Sequence, residues 1–431
     1  MSRLGWILFL SGLFFLAICF GRTPKDWTLD MEAWATEQVL FGGSRTKPST
    51  TVVGYQPLDE GATGVGAWFT TDATTDGTGK CTVTTDGTVK NLRILLDVSP
   101  GSGTSYTFTV RKNGSNASLA CSIADTATSC QDSTNSFSVT GGDLLTIESS
   151  PSGTPASVLV KWTTVFDSTT NQESLMSGGS GGTGTGGTPT TYIQPNHHFL
   201  NSDEVDTQEL IPIAGTIKNL YFRSSCNVIN PWIITLRVNG TSTTLTCTVT
   251  SLTCSDTANS VSVAVGDLIS LELDRDAGCS PTLNYGMTFV SDSSLNPYMG
   301  VLSDLPGTDP IYHVFPPSLE APSGVSDESL VQVLGQTTSI GVIRARVNSA
   351  PSGVCTFYTF TTRINGVDTT NACTISTGET SCVSTTQVNI ANDDLLSVEV
   401  TDGTCLAIAN PTQVSFGIGT ISDDWGWTHR P

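Results

Sequence analysis

Charged side chains are scarce in this sequence of 431 residues, because Asp, Glu, Lys and Arg together make up only 13% of it. Lys and Arg number 19 against 39 Asp and Glu, which gives a formal net charge of -20. Nucleic acid and anionic membranes repel a chain this acidic, so neither is predicted as a partner. Hydrophobic residues still reach 38%, enough to fill cores. A surface of hydroxyls and amides around such cores favours β-sandwiches over helix bundles.

Residues that carry catalysis or bind zinc are also few. A zinc site needs Cys-x-x-Cys spacing or histidines near cysteines, and no two cysteines lie closer than Cys247 and Cys254. The histidines fall near the edges of the predicted domains or at the C terminus, so we interpret them as solvated loop residues. The sequence therefore predicts no catalytic residue, no metal ligand and no enzyme. The four histidines are His197, His198, His313 and His429.

The N terminus has the composition of an export signal. Met1 to Gly21 contains one basic residue, Arg3, then an apolar core, then small residues at Cys19 and Gly21. This pattern is typical of a signal peptide cleaved near Gly21. An uncleaved anchor is the alternative, since about 17 apolar residues lie at the lower limit for spanning a bilayer. Either interpretation predicts a protein that is secreted or displayed at the cell surface.

The same order of local signals occurs three times at nearly constant spacing. Each copy opens with an aromatic and proline segment, continues with an alternating strand that ends in Asn-Gly, and closes with an acidic turn and another strand. Asn and Gly both tolerate positive φ, so each Asn-Gly predicts a type I′ hairpin. Repeats of this length are whole domains. The turns are Asn113-Gly114, Asn239-Gly240 and Asn365-Gly366, and the closing segments are Gly142 to Glu148, Gly266 to Glu272 and Asp393 to Glu399.

No segment within the copies has helical periodicity, so the predicted fold class is all-β, with three tandem antiparallel β-sandwiches. A Gly/Ser/Thr-rich segment between the first two copies predicts a flexible linker, and a proline-containing segment predicts a more restricted one between the last two. Trp27 to Phe41 is predicted to form one short helix. The predicted boundaries are 1–21 (signal peptide), 22–49 (N-terminal segment), 50–168 (first sandwich), 169–190 (linker), 191–291 (second sandwich), 292–309 (linker), 310–424 (third sandwich) and 425–431 (tail).

The order of motifs resembles the jelly roll of complement globular heads and tumour-necrosis-factor-like domains. The motifs concerned are Asn113-Gly114, a polar stretch, Gly142-Asp143-Leu144 and a last strand, with counterparts in the other copies. This resemblance implies two packed antiparallel sheets, no catalysis, and association in threes around an apolar axis. Because all three copies lie on one polypeptide, we expect either an intramolecular pseudo-trimer or separate domains along the chain. Self-association stays open in both cases.

The cysteines are distributed by copy, as expected for disulfide-bonded domains outside the reducing cytosol. Each copy has a close pair, and the second and third copies share an outer pair whose members are both missing from the first. Joint presence and joint absence predict that the outer two bond each other. Cys81 is left over, either as a buried inert thiol or as part of an intermolecular bridge. The predicted disulfides are Cys121–Cys130, Cys247–Cys254, Cys373–Cys382, Cys226–Cys279 and Cys355–Cys405.

Each copy repeats three further polar residues. An Asp opens the closing strand, where we interpret it as a turn cap, with calcium binding as the alternative. An Arg two residues before Asn-Gly is expected to pair with the outward Glu of the closing strand. The residues are Asp143, Asp267 and Asp394 for the turn, Arg111, Arg237 and Arg363 for the cation, and Glu148, Glu272 and Glu399 for its partner.

These features predict a non-enzymatic, exported protein that acts in adhesion, recognition or structural coating through its repeated sandwiches, because repetition strengthens weak contacts. Its protein or glycan ligand is not defined by the sequence. One alternative is a subunit of an appendage or virion fibre. Another is a secreted carbohydrate-active enzyme that uses paired carboxylates such as Asp274 and Asp276. Candidate glycosylation sites are Asn113, Asn116 and Asn239.

Overall fold

The computed structural model describes residues 37–47, 50–58, 80–170, 172–180, 190–196, 200–225, 230–275, 282–293, 295–302, 310–313, 327–352, 355–402 and 413–421. The predicted signal peptide and the C-terminal tail lie outside these ranges. Within them the only helices are two short 3-10 turns, Glu204–Thr207 and Glu328–Leu330. No helix in the same ranges is long and apolar enough to cross a membrane.

The first sandwich is built from nine described strands, which are β1 (Glu37–Lys47), β2 (Val53–Tyr55), β3 (Cys81–Thr82), β4 (Gly87–Leu96), β5 (Gly101–Lys112), β6 (Ser115–Asp125), β7 (Ser129–Val139), β8 (Leu144–Ser152) and β9 (Val158–Ser168). One sheet has the order β1-β9-β4-β7, which places the first strand beside the last. The other has the order β2-β8-β5-β6, with β3 also on β8. We call them the inner and the outer sheet.

The second sandwich follows the same order. Its strands are β10 (Glu173–Ser180), β11 (Thr190–Ile193), β12 (Leu200–Asn201), β13 (Glu209–Leu210), β14 (Gly215–Ser224), β15 (Trp232–Val238), β16 (Thr241–Val249), β17 (Thr253–Val263), β18 (Leu268–Asp274) and β19 (Leu283–Ser291). The inner sheet is β10-β19-β14-β17, and the outer sheet is β12-β11-β18-β15-β16 with β13 on β18.

The third sandwich repeats the arrangement once more. Its strands are β20 (Leu295–Leu302), β21 (Ile311–His313), β22 (Val333–Leu334), β23 (Thr338–Val347), β24 (Phe357–Ile364), β25 (Val367–Ser376), β26 (Ser381–Ser384), β27 (Val388–Ile390), β28 (Leu395–Asp402) and β29 (Val414–Ile421). The inner sheet is β20-β29-β23-β26 with β27 on β23, and the outer sheet is β21-β28-β24-β25 with β22 on β28.

This strand order is that of a jelly roll, so the predicted all-β fold class is confirmed. The alternating strand puts Tyr106, Phe108 and Val110 into the core at 0% exposure, while Thr107 faces solvent. Both residues of each Asn-Gly turn have positive φ, as a type I′ turn requires. The φ angles are 52° and 79° for Asn113 and Gly114, 51° and 75° for Asn239 and Gly240, and 52° and 75° for Asn365 and Gly366.

Three segments that the sequence assigned to linkers or to a helix are the first strands of the sandwiches. The helix predicted at Trp27 to Phe41 is wrong over its described part, because residues from Glu37 onward belong to β1. The linker predicted at 169–190 contains β10, and the linker predicted at 292–309 contains β20. Each of these strands pairs antiparallel with the last strand of its own sandwich. The sandwiches therefore begin earlier in the sequence than predicted.

Glycines in these first strands have a packing role that composition alone conceals. Gly42 lies opposite Trp162, Gly178 opposite Tyr285 and Gly300 opposite Phe416. A Cβ on Gly42 would come within 2.2 Å of the Trp162 ring, so the absent side chain makes room for the aromatic one. A glycine facing a large aromatic residue is a known device of β-sheets. The glycines of β10 thus belong to an ordered strand rather than to a linker.

The three sandwiches contact one another in cyclic order. The short strand β3 of the first packs against β10 and β19 of the second, β13 of the second against β20 and β29 of the third, and β22 of the third against β1 and β9 of the first. Polar bonds accompany each contact. Thr288 Oγ1 bonds to Thr84 Oγ1 (2.8 Å), Ser415 Oγ donates to the Gln208 carbonyl (2.9 Å), and Gln336 Nε2 donates to the Asn91 carbonyl (2.7 Å).

We predict that Gly286→Val destabilises the contact between the first two sandwiches. A Cβ at Gly286 would lie 2.8 Å from Thr84 Cγ2 and 3.0 Å from the carbonyl oxygen of Thr82, so the neighbouring backbone would have to move. Overpacking of this kind lowers the free energy of unfolding by about 1–3 kcal/mol. Thermal unfolding followed by circular dichroism measures the loss, with exposed Thr374→Val as the matched control. Equal stability of the two variants would contradict the prediction.

Candidate functional site

The Asn-Gly hairpin and the acidic turn of each sandwich share the same three hydrogen bonds, two that join the hairpin to the turn and one within the turn. The Asn amide donates to Oδ1 of the Asp, and the Asn Oδ1 accepts from the backbone N–H that follows the Asp. The other Asp oxygen accepts a backbone N–H three residues earlier, which closes its own turn. The amide to carboxylate distances are 2.6 Å for Asn113 and Asp143, 2.8 Å for Asn239 and Asp267, and 2.7 Å for Asn365 and Asp394.

This fastening bears on two sets of predicted site residues. Because both oxygens of each Asp accept bonds from the chain, their contacts are those of a turn cap. A glycan on Asn113 or Asn239 would replace one of the two hydrogens on the amide nitrogen that donates to the turn Asp. Asn116 is exposed on β6, and its Oδ1 accepts a bond from Arg111 (2.8 Å). Glycosylation at Asn116 stays a prediction.

The repeated arginines pair with their glutamates, and two of them make further contacts that the sequence did not indicate. Arg237 binds Glu272 (2.6 Å) and also Glu204 of the first 3-10 turn (2.8 Å), and its guanidinium stacks 5.6 Å from the Tyr192 ring. Arg363 contacts Glu399, Glu328 of the second 3-10 turn, and Tyr312 in the same way. Arg111 pairs with Glu148 (2.7 Å). In the second and third sandwiches the arginine therefore fastens the 3-10 turn to the outer sheet.

A further capping residue escaped prediction. Asp132 on β7 accepts backbone N–H bonds from Ala120, Thr134 and Asn135 and a side-chain bond from Asn135. Asp256 repeats the arrangement with Thr246, Ala258 and Asn259. Burial opposes ionisation of Asp132, but these bonds outweigh it and lower its pKa to about 2. The Asp-x-x-Asn spacing, which is repeated in β7 and β17, is the sequence pattern from which this cap could have been predicted.

Of the histidines and paired carboxylates considered from the sequence, His313 and Asp274 lie in the part of the chain that the structure describes. The prediction that His313 is a solvated loop residue is wrong, because His313 lies on β21 and is 1% exposed. Burial lowers its pKa to about 4. Asp274 is exposed at the end of β18, while Asp276, His197, His198 and His429 lie outside the described residues. No group of three or more His, Cys, Asp or Glu among the described residues is arranged to hold a metal ion.

The structure forms the three close disulfides Cys121–Cys130, Cys247–Cys254 and Cys373–Cys382. Cys355 is also disulfide-bonded, while Cys226, Cys279 and Cys405 lie outside the described residues. Cys81 is a free thiol with 0% exposure on β3, beside Ser177 of the next sandwich. Burial outweighs its hydrogen bonds and raises its pKa to about 11. This burial agrees with the inert thiol of the two interpretations given above.

The contacts between sandwiches include one position that differs at each interface. Arg93 of β4 forms two bonds to the carboxylate of Asp393, Nε to Oδ1 (3.0 Å) and Nη2 to Oδ2 (2.5 Å). Tyr221 takes the place of Arg93 on β14 and lies against Gly141 and Gly142. Arg344 takes that place on β23, beside Gly266. A cavity of about 280 Å³ lies there, lined by residues of the second and third sandwiches.

Comparison with known proteins adds little to this description. No family model matches the chain, and no curated protein matches it. Among solved structures, one match is a chain of the structure titled "The Triple Jelly Roll Fold and Turret Assembly in an Archaeal Virus". It is 12% identical, covers 78% of this chain and 79% of that chain, and has a TM-score of 0.17. At that TM-score the jelly-roll assignment depends on the strand order alone.

We predict that Asp132→Asn lowers the free energy of unfolding by about 1–2 kcal/mol near neutral pH, because the amide cannot accept all the bonds of the carboxylate. The folded pKa of Asp132, about 2, lies below its ordinary value of 3.8. Its contribution is therefore complete above about pH 4 and is lost as the pH falls through about 2. Urea unfolding at several pH values measures it, with exposed Asp274→Asn as control. A difference that persists undiminished at pH 2 would contradict the prediction.

We expect the Cys81 thiol to resist alkylation in the folded protein. Burial and its raised pKa leave almost no accessible thiolate at neutral pH, and the thiolate is the reactive species. Iodoacetamide treatment followed by peptide mass spectrometry should find Cys81 unmodified before unfolding and modified after unfolding in guanidinium. Rapid labelling of the native chain, or a dimer linked through Cys81 on a non-reducing gel, would show that the thiol is accessible.

Proposed function

We propose that this chain is an exported, non-enzymatic structural protein in which three jelly rolls on one polypeptide form a preassembled pseudo-trimer that coats or adheres to a surface. The observation that carries the proposal is the cyclic contact of the sandwiches. The third sandwich touches the first through Arg93 and Asp393, which are 300 residues apart in sequence. A chain of separate domains would have no such contact.

The first strands of the sandwiches support the same arrangement. Gln38 Nε2 donates to the Leu175 carbonyl (2.9 Å), and the Leu175 N–H donates back to Gln38 Oε1 (2.7 Å). Tyr298 donates its hydroxyl to the Val39 carbonyl (2.6 Å). Strands β10 and β20 thus both bond to β1. Association in threes is also what the resemblance to complement and tumour-necrosis-factor-like jelly rolls implies, and here one chain would supply all three members.

The outward face of each outer sheet supports a role in coating or adhesion. Paired hydroxyls cross the same two strands in every sandwich, on the face that also carries the repeated Arg and Glu pair. A surface repeated three times on one chain strengthens weak contacts with a partner by multivalency. The disulfides are consistent with display outside the reducing cytosol. The hydroxyl pairs are Thr107 with Ser122 (2.8 Å), Thr235 with Thr246 (2.9 Å) and Thr359 with Thr374 (2.9 Å).

Light scattering coupled to size-exclusion chromatography tests the single-chain assembly. We expect one monodisperse monomer between about 1 and 100 μM protein, since the contacts that a trimer would make are already formed within the chain. A double-mutant cycle of Arg93→Ala and Asp393→Asn tests ring closure in solution. The partly exposed pair should show a coupling energy of about 0.5–1 kcal/mol that salt weakens. An obligate trimer or polymer, or zero coupling, would overturn the proposal and favour a fibre subunit.

A further inference from the structure

Arg93 and Arg344 occupy equivalent positions in two of the three interfaces. Each precedes a residue that pairs with the second cysteine of the close disulfide, Cys130 or Cys382. The residues that face them are also equivalent, because Asp393 and Gly266 each precede the capping Asp of the acidic turn. The interface between the first and third sandwiches has the Asp393 carboxylate against the Arg93 guanidinium. At the same place, the interface between the second and third sandwiches has Gly266, which has no side chain.

The cavity beside Gly266 lies where that carboxylate would stand. Arg344 and Arg346 are two residues apart on β23, so both point away from their own core and toward the second sandwich. Ser381 and Thr380 supply hydroxyls to the same cavity, and Leu210 and Val383 supply an apolar side. Its volume of about 280 Å³ is slightly below the range of about 300–1,000 Å³ for cavities that bind drug-sized molecules, which restricts it to a small ligand.

Neither arginine has an acidic partner within the part of the chain that the structure describes. Arg344 donates through Nε to the Pro212 carbonyl of the second sandwich (2.9 Å), and this is the one hydrogen bond that its guanidinium makes to the described residues. Burial lowers the pKa of Arg344, and no neighbouring acid offsets that effect. Because the chain has 39 acidic and 19 basic residues, carboxylates are present in excess over the basic groups that they could pair with.

We propose that this cavity binds a small hydroxylated carboxylic acid, such as a sugar acid. The ligand carboxylate would lie near the place that Asp393 has against Arg93 and would accept paired bonds from the two terminal nitrogens of Arg344, because Nε is already bonded to the Pro212 carbonyl. Arg346 would add a second positive charge. The hydroxyls of Ser381 and Thr380 would meet the ligand hydroxyls, and the apolar side would meet the ring carbons. Binding at this position goes beyond the structural role proposed above.

Titration calorimetry of the whole chain with D-glucuronate, at constant ionic strength, tests the proposal, with neutral D-glucose as control. We expect saturable glucuronate binding at roughly millimolar concentration and no glucose binding. Arg344→Gln should weaken glucuronate binding about tenfold or more, because it removes the paired charged bonds. Absence of glucuronate binding, equal binding of glucose, or unchanged binding by Arg344→Gln would each overturn the proposal.

A second pair of variants tests the position of the carboxylate without removing the arginine. A Cβ at Gly266 would meet nothing within 4 Å, and its φ of 90° is close to the 72° at which Asp393 already carries a side chain. Gly266→Asp should supply an internal carboxylate and abolish glucuronate binding, whereas the equally shaped, neutral Gly266→Asn should retain it. Equal loss in both variants, with thermal unfolding unchanged, would show that the cavity does not select for a carboxylate.

Discussion

The arrangement depends on inner sheets that are buried on both faces. A strand with one face in solvent alternates between buried and exposed residues, but β9 and β19 are buried at nearly every position. One face packs on the core of its own sandwich, and the other receives the short strand of the preceding sandwich. One equivalent position on that second face is small or hydroxylated in every sandwich, namely Thr163, Gly286 and Gly417. Their size sets how closely the sandwiches approach.

Local features of each sandwich follow from the sequence because they depend on neighbours in the chain. Asn-Gly fixes its turn through the φ angles that both residues tolerate, and alternation fixes which side chains enter the core. The close disulfides join strands that follow each other in the chain, within one sandwich. The duplication then repeats each of these features at a new place, which makes them recognisable. The strand order of the jelly roll is consistent with all of them.

Features that depend on distant residues were not predictable in the same way. The glycines of β10 favour a linker when the sequence is considered alone. The Tyr285 ring that explains Gly178 lies about 100 residues away in sequence, so the local pattern does not reveal it. The sequence favours a loop for His313 because the residue lies near the edge of a predicted domain. The strand register instead pairs Tyr192 and Tyr312 with the repeated Glu and puts Gly54 at that place in the first sandwich. His313 therefore matches the buried Tyr55.

Duplication also explains why the three interfaces differ although the sandwiches are alike. Each sandwich has the Asn-Gly turn with its capping Asp, the pair of Arg and Glu, and the close disulfide, all of which act within one sandwich. The position that faces the next sandwich is freer, and it holds an ion pair at one interface, Tyr221 against glycine at another, and Arg344 beside a cavity at the third. A charge kept at a partly buried position without a counter-charge in the described chain is unfavourable by itself. A ligand from outside the chain that supplied the counter-charge would account for Arg344 at this position.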